Sequence, residues 1–83
     1  MNLLNPIKTE KAISKVEAEN TLTFEVDLKS TKEGIAREFE KMFNVKVASV
    51  RTMLTSGGKK HAYIRLSKEF KADDVVTKLK MIV

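Results

Sequence analysis

The chain has 83 residues, with 16 Lys or Arg against 11 Asp or Glu, a formal net charge of +5 and a pI near 9.6. That length supports one small domain with a limited core, helped by a partner. The absence of cysteine rules out disulfides and thiolate zinc sites and suits a reducing compartment, and no apolar run approaches the length of a membrane span.

Met1 to Pro6 is too short and too polar for a signal peptide, so a single intracellular domain over residues 1–83 is expected. Asn2 to Lys8 reads as extended, because Pro6 disfavours helix before it. Thr9 can cap a short helix with Glu10 in its first turn and Ala12, Ile13 and Val16 on one stripe. That helix is expected to end around Val16. Thr21 to Asp27 alternates. Leu22, Phe24 and Val26 face one side, and Thr21, Thr23, Glu25 and Asp27 face the other, as in a half-buried strand.

Ser30 and Glu33 have the spacing of a capping box, with Thr31 as a competing cap. Ile35, Phe39, Met42 and Phe43 then form an apolar stripe opposite Arg37, Glu38 and Lys41, which predicts an amphipathic helix ending near Asn44. Val45 to Leu66 has the form of a hairpin: an apolar-rich run to Leu54, a turn at Ser56-Gly57-Gly58, and a second run over Lys60–Leu66. In the first run Val45 and Val47 share a face, and Val50 and Thr52 rejoin it only if a bulge lies near Ala48-Ser49. In the second run Ala62, Ile64 and Leu66 point inward, and His61, Tyr63 and Arg65 point outward. Ala72 to Leu79 predicts a last helix with Asp73 and Asp74 at its start and Val75, Val76 and Leu79 buried. Met81 to Val83 then adds an edge strand or simply packs.

This order predicts an α+β domain: a mostly antiparallel sheet of three or four strands, a split βαβ unit plus a hairpin, with helices on one face. Ala62–Leu66 is expected to be central. The exposed face would carry Thr23, Glu25, Tyr63, Arg65 and Arg51, with Arg65 able to pair across the sheet with Glu25.

Charge is concentrated in the hairpin. From Lys41 to Lys68 there are seven Lys or Arg and no Asp or Glu, so this segment carries more than the whole net excess. A basic surface favours a polyanion, either nucleic acid or an acidic membrane surface. Arg51, Thr52, Lys59, Lys60, His61, Tyr63 and Arg65 combine cations, hydroxyls and one aromatic, a set suited to phosphate and ribose contacts. One aromatic is too few for a paired stacking platform, so shape and backbone recognition of folded RNA is expected. Catalysis finds little support. His61 is the only histidine, no Gly-x-Ser-x-Gly elbow accompanies it, and the glycines match neither a dinucleotide fingerprint nor a P-loop. An acylphosphatase of similar topology would need glycines and an arginine after the first strand, where this chain has Asp27-Leu28-Lys29-Ser30-Thr31.

Five motifs in order carry a resemblance: Ile7 to Lys11, Ser30 to Lys32, Phe43-Asn44-Val45-Lys46-Val47, Val50-Arg51-Thr52, and Lys59 to Leu66. With them the chain resembles the family of the twenty-third protein of the large ribosomal subunit over nearly its whole length. Phe70 to Val75, with Lys78 and Leu79, looks like the archaeal branch. The resemblance implies a small antiparallel α/β domain, cytoplasmic and within the ribosome, that binds the third domain of large-subunit rRNA beside the peptide exit tunnel. It also implies contacts with neighbouring large-subunit proteins and a docking surface for exit-site factors, in archaea including the signal recognition particle. No cofactor, metal, small-molecule substrate or membrane insertion is expected.

The Thr9-Glu10-Lys11 segment and the hairpin would contact rRNA. Arg51, Lys59, Lys60 and Arg65 would neutralise phosphates. Thr9, Thr52 and His61 would hydrogen-bond phosphate or ribose, Tyr63 would stack or pack on a sugar, and Lys8, Lys11 and Lys15 would extend the footprint. The bacterial hairpin is longer and enters the tunnel; Leu54 to Lys59 here is too short to reach far. Two departures are local. Glu33-Gly34 stands where relatives often carry Pro-Glu, and Lys80 stands where they often carry glycine. Two rival readings remain: a module docking an acidic protein through its basic hairpin, and a small acylphosphatase-like hydrolase.

Overall fold

The computed structural model describes residues 3–7 and 9–82 and shows four strands and three helices. In chain order these are β1 (Leu3–Pro6), α1 (Glu10–Glu19), β2 (Thr21–Val26), α2 (Lys32–Phe43), β3 (Val47–Leu54), β4 (Lys60–Leu66) and α3 (Ala72–Ile82). The sheet order is β1-β2-β4-β3, and every neighbouring pair is antiparallel. β4 fills the gap between β2 and β3, giving the expected split βαβ unit with β4 interior. The fourth strand is β1, at the other end of the chain from the edge strand considered for Met81–Val83. Met81 and Ile82 instead continue α3, whose helical ladder satisfies the backbone groups that an edge strand would leave open, and Val83 lies outside the described residues.

The core follows the alternation of the two central strands. Leu22, Phe24 and Val26 of β2 and Ala62, Ile64 and Leu66 of β4 are buried, and they pack with Ile35, Phe39 and Phe43 of α2 and with Ala72 and Val75 of α3. Phe39 meets Phe24 edge-on at 5.7 Å between ring centroids and Phe43 at 4.8 Å. Met42, expected in this stripe, is exposed; although three residues after Phe39, it lies at the edge of the stripe set by the four-residue spacing of Ile35, Phe39 and Phe43. Leu79 belongs to the part of α3 whose side chains lie outside the description.

β3 carries the expected irregularity. Val47 pairs with Leu66 and Ser49 with Arg65, so Ala48 is the extra residue, and Val50 and Thr52 return to the side of Ile64 and Ala62. The Glu40 carboxylate accepts from the Val47 N–H at 2.9 Å, tying the start of the bulged strand to α2. Lys78 reaches the Phe43 carbonyl at 3.5 Å, placing a cation at the C-terminal end of α2.

Three local expectations change. First, α1 runs to Glu19 rather than stopping around Val16. Asn20 ends it in the left-handed region at φ 53°, and its N–H donates to the Lys15 carbonyl. No residue from Val16 to Glu19 is a helix breaker, so the helix continues until Asn20, which tolerates that conformation. Second, Thr31 rather than Ser30 caps α2, its hydroxyl accepting from the Gly34 N–H at 3.1 Å. Ser30 is buried below the sheet end, and its carbonyl accepts from the Lys60 ammonium at 2.8 Å. Gly34 thus sits in the first turn and serves as the cap's donor. Thr31→Ala is expected to cost about 1 kcal/mol, read as a lower urea midpoint at unchanged slope, while Ser30→Thr leaves the cap intact.

Third, Thr21 and Thr23 are buried although they lie on the face away from the core. Thr21 donates to the Glu19 carbonyl at 2.9 Å. Thr23 lines a groove with Ala12, Ile13, Val16 and Glu17, so α1 shields the β2 end of that face.

Candidate nucleic-acid interface

Strand register sorts the hairpin side chains into two faces, because directly opposed residues on neighbouring strands point the same way. On the face away from the core, three rows cross the sheet. Glu25, His61 and Met53 form one row, Thr23, Tyr63 and Arg51 the next, and Thr21, Arg65 and Ser49 the third. On the core side the corresponding rows are Val26, Lys60 and Leu54, then Phe24, Ala62 and Thr52, then Leu22, Ile64 and Val50. Each row thus alternates faces along β4.

Tyr63 is the centre of the outer face. The Lys15 ammonium lies 5.0 Å from its ring centroid and the Arg51 guanidinium 5.9 Å from it. Both distances fall in the range where a cation is drawn to an aromatic face. Arg51, Tyr63 and Arg65 line one polar hollow with Glu19, Thr21 and Ser49. Arg51 and Arg65 are exposed and Tyr63 is half-buried. Lys15 also pairs with Glu19 at 3.5 Å across one helical turn. Lys11 precedes Lys15 by one turn and is exposed, so it extends the same helix face outward.

The Arg65–Glu25 pair does not form. Arg65 opposes Thr21, and Glu25 opposes His61, two rows away on the same face. A register of this kind puts the two groups several residues apart along the strands, beyond ion-pair reach.

The remaining candidates are dispersed. Thr9 is exposed, and its hydroxyl already accepts from the Ala12 N–H at 3.2 Å as the cap of α1; its proton is still free to be donated. Thr52 lies on the core side, in the row of Ala62, away from Arg51. Lys60 also faces the core side, where the Ser30 carbonyl holds its ammonium. Lys59 precedes the strand and is exposed. His61 is half-buried on the outer face beside Glu25 and Met53. Lys8 lies outside the described residues.

The hairpin loop is short and closed on itself. The Thr55 N–H donates to the Lys59 carbonyl at 2.7 Å, and the Gly58 N–H donates to the Thr55 carbonyl at 3.1 Å. The Thr55 hydroxyl also donates to the Lys59 carbonyl and accepts from the Lys59 N–H. Gly58 takes φ 75°, which a residue with a Cβ adopts only under strain. Beneath the sheet end, the loop that follows β2 is occupied by a carboxylate: Asp27 accepts from the Lys29 N–H at 2.9 Å.

Reading the sequence alone missed Ser49, Thr21 and Glu19 as members of the hollow. The bulge at Ala48 is what brings Ser49 opposite Arg65, and Glu19 was legible only as the residue four beyond Lys15.

Comparison with known proteins agrees with these elements. The family model described as Ribosomal protein L23 matches residues 2–82. The chain is 44% identical over 77 residues to the large ribosomal subunit protein uL23 of Dictyostelium discoideum, an alignment covering 93% of this chain and 46% of that relative. The chain therefore spans about half the length of the curated relative it matches. On the extent of the family match and on this identity, the chain belongs to the ribosomal protein L23 family.

Proposed function

We propose that the chain is a structural, non-catalytic component of the large ribosomal subunit in the cytoplasm. It binds the third domain of large-subunit rRNA near the peptide exit tunnel and packs beside neighbouring large-subunit proteins. The observation that carries this reading is the clustering of Lys15 of α1 with Arg51 and Arg65 of the hairpin around Tyr63, with no acidic residue from Lys41 to Lys68. Lys11, Lys59 and His61 add further donors and Thr9 a hydroxyl outside that cluster. Lys60 and Thr52 face the core side, where Lys60 supports the fold through the Ser30 carbonyl.

The test is binding to a transcript of the third rRNA domain across a salt series, with unrelated structured RNA of equal length as competitor. Salt-dependent binding that the competitor fails to displace supports the reading. Equal binding to both RNAs would sink it and favour a generic anionic surface or an acidic protein partner. Within the same series, Lys59→Ala is expected to lower the salt slope by about one, the effect of a single lost phosphate contact. Lys60→Ala is expected to leave the slope nearly unchanged and to lower stability by about 1–2 kcal/mol, since it removes a charge-assisted hydrogen bond. Equal slopes for the two variants would contradict this division of labour.

A second observation supports exit-site factor docking. An apolar groove lined by Ile7, Ala12, Ile13, Val16 and Val76 opens between α1 and α3, with Glu17 and Asp73 also lining it. Ile13 there is 55% exposed. Ile13→Asp is expected to weaken recruitment of the signal recognition particle to ribosomes carrying the variant, with rRNA binding unaltered.

A further inference from the structure

We propose that the hollow beside Tyr63 is a seat for one phosphate of an RNA backbone, and that Glu19 occupies Lys15 until the phosphate displaces it. The inference rests on the rRNA-binding reading above and assigns a ligand group and a competitor within that surface.

Three features of the hollow lead to it. The ring of Tyr63 already faces cations: Lys15 lies 5.0 Å from its centroid and Arg51 5.9 Å. A base stacking on the ring would have to displace the Lys15 ammonium, so the ring serves to orient the two cations. Next, the side chains around it are donors suited to phosphate oxygens. Arg51 and Arg65 offer guanidinium forks, and Ser49 and Tyr63 offer hydroxyls. Strand pairing fixes Arg51 opposite Tyr63 and Ser49 opposite Arg65, so these donors converge from two paired strands.

The third feature is that the lining carboxylate is a poor permanent occupant. Glu19 pairs with Lys15 at 3.5 Å, its side chain 52% exposed, on the last residue of α1. An exposed pair of this length is weak and screened by salt. A phosphodiester brings the same charge and can accept from the guanidinium groups and Lys15 together. Contacts of this kind position RNA without reading its bases.

The distinguishing variant is Glu19→Gln, which removes the competitor and keeps every cation. With the third-domain transcript at low salt it is expected to bind about three-fold tighter than wild type, and its salt slope to rise by about one as Lys15 becomes a full phosphate partner. Glu17→Gln is the control, since Glu17 lies on the same helix and lines the other groove. General electrostatics would move both variants alike, whereas the seat predicts a clearly larger change for Glu19→Gln. Arg65→Ala is expected to lower the slope by about one. Tyr63→Leu, which keeps an apolar body and removes both the π face and the hydroxyl, is expected to weaken binding two- to five-fold, with Tyr63→Phe, which loses only the hydroxyl donor, falling between it and wild type.

Equal effects of Glu19→Gln and Glu17→Gln, or an unchanged slope for Arg65→Ala, overturn the seat. If Lys59→Ala still lowers the slope in that case, the rRNA-binding reading stands without it. Failure of the wild-type chain to prefer the transcript over the competitor would instead remove that reading, and the seat with it. Circular dichroism spectra matching wild type establish that each variant is folded.

Discussion

Asn20→Ala is expected to lower the stability of the domain by about 3 kcal/mol. The sum comes from three parts. Asn20 sits at φ 53°, a conformation that costs about 1–2 kcal/mol for a residue with an ordinary Cβ. Its side-chain amide donates to the Phe70 carbonyl at 2.8 Å, and its side-chain oxygen accepts from the Ala72 N–H at 2.6 Å. Each of those bonds contributes about 0.5–1.5 kcal/mol. Asn20 thus ends α1 and also caps α3, more than fifty residues further along the chain, while its backbone carbonyl accepts from Leu66 in β4.

For a domain of this size the loss corresponds to a fall in Tm of roughly 15 °C. Asn20→Gly relieves the backbone strain and is expected to cost only about 1–2 kcal/mol. Asn20→Asp keeps the acceptor for Ala72 but loses the donor to Phe70. Urea denaturation followed by circular dichroism measures all three. An Asn20→Ala midpoint equal to wild type would show that neither the cap nor the strain matters.

Phe39→Ala carries the other large effect, about 3–5 kcal/mol. Phe39 is fully buried, and its ring meets both Phe24 and Phe43, so truncation opens a cavity where α2 rests on β2. A domain of this length has a total stability of about 4–12 kcal/mol, so the variant is expected to lose its cooperative transition at moderate temperature. Phe39→Leu, nearer in volume, is expected to cost less than about 2 kcal/mol.

The consequence for function is specific. The basic face lies on the opposite side of the sheet from Phe39, so the variant keeps every RNA-facing group. RNA that binds only the folded chain adds about 2.7 kcal/mol of stability at a hundredfold excess over Kd. Phe39→Ala is therefore expected to regain dispersed amide resonances when the third-domain transcript is added. A spectrum that stays collapsed with RNA present would mean that the sheet no longer forms a binding face.

Much of the fold was legible in the residues. Alternation in Thr21–Val26 and Lys60–Leu66 identified the buried side of both central strands, and the spacing of Ile35, Phe39 and Phe43 identified the buried stripe of α2. The displacement of Val50 against Val47 required a bulge, and one is present at Ala48. The same alternation puts Lys60 on the side of Ala62, although its charge assigned it to phosphate neutralisation. A long stem lets a lysine lie along the sheet and deliver its ammonium to a carbonyl, so charge did not decide its direction.

The candidate interface was legible as composition and not as geometry. Arg51, Tyr63 and Arg65 were recognisable as outward residues of a basic hairpin. Nothing local connected them to Lys15 or Glu19, which come from a helix more than thirty residues earlier, or to Ser49, whose face depends on the bulge. The choice between Ser30 and Thr31 as cap was equally undetermined, because both are good capping residues and only the burial of Ser30 separates them.

What the sequence determined by itself, then, were the properties set within one element: which side of a strand or helix is apolar, where charge accumulates, and where a left-handed residue such as Asn44 can end a helix. Tertiary structure alone decided the properties that depend on distant partners. These were the register that separates Arg65 from Glu25, the reach of Asn20 across the chain to Ala72, and the meeting of Lys15 with Tyr63. The physical reason is that periodicity follows from backbone geometry over a few residues, whereas a long-range contact exists only after strands have paired and the helices have packed against them.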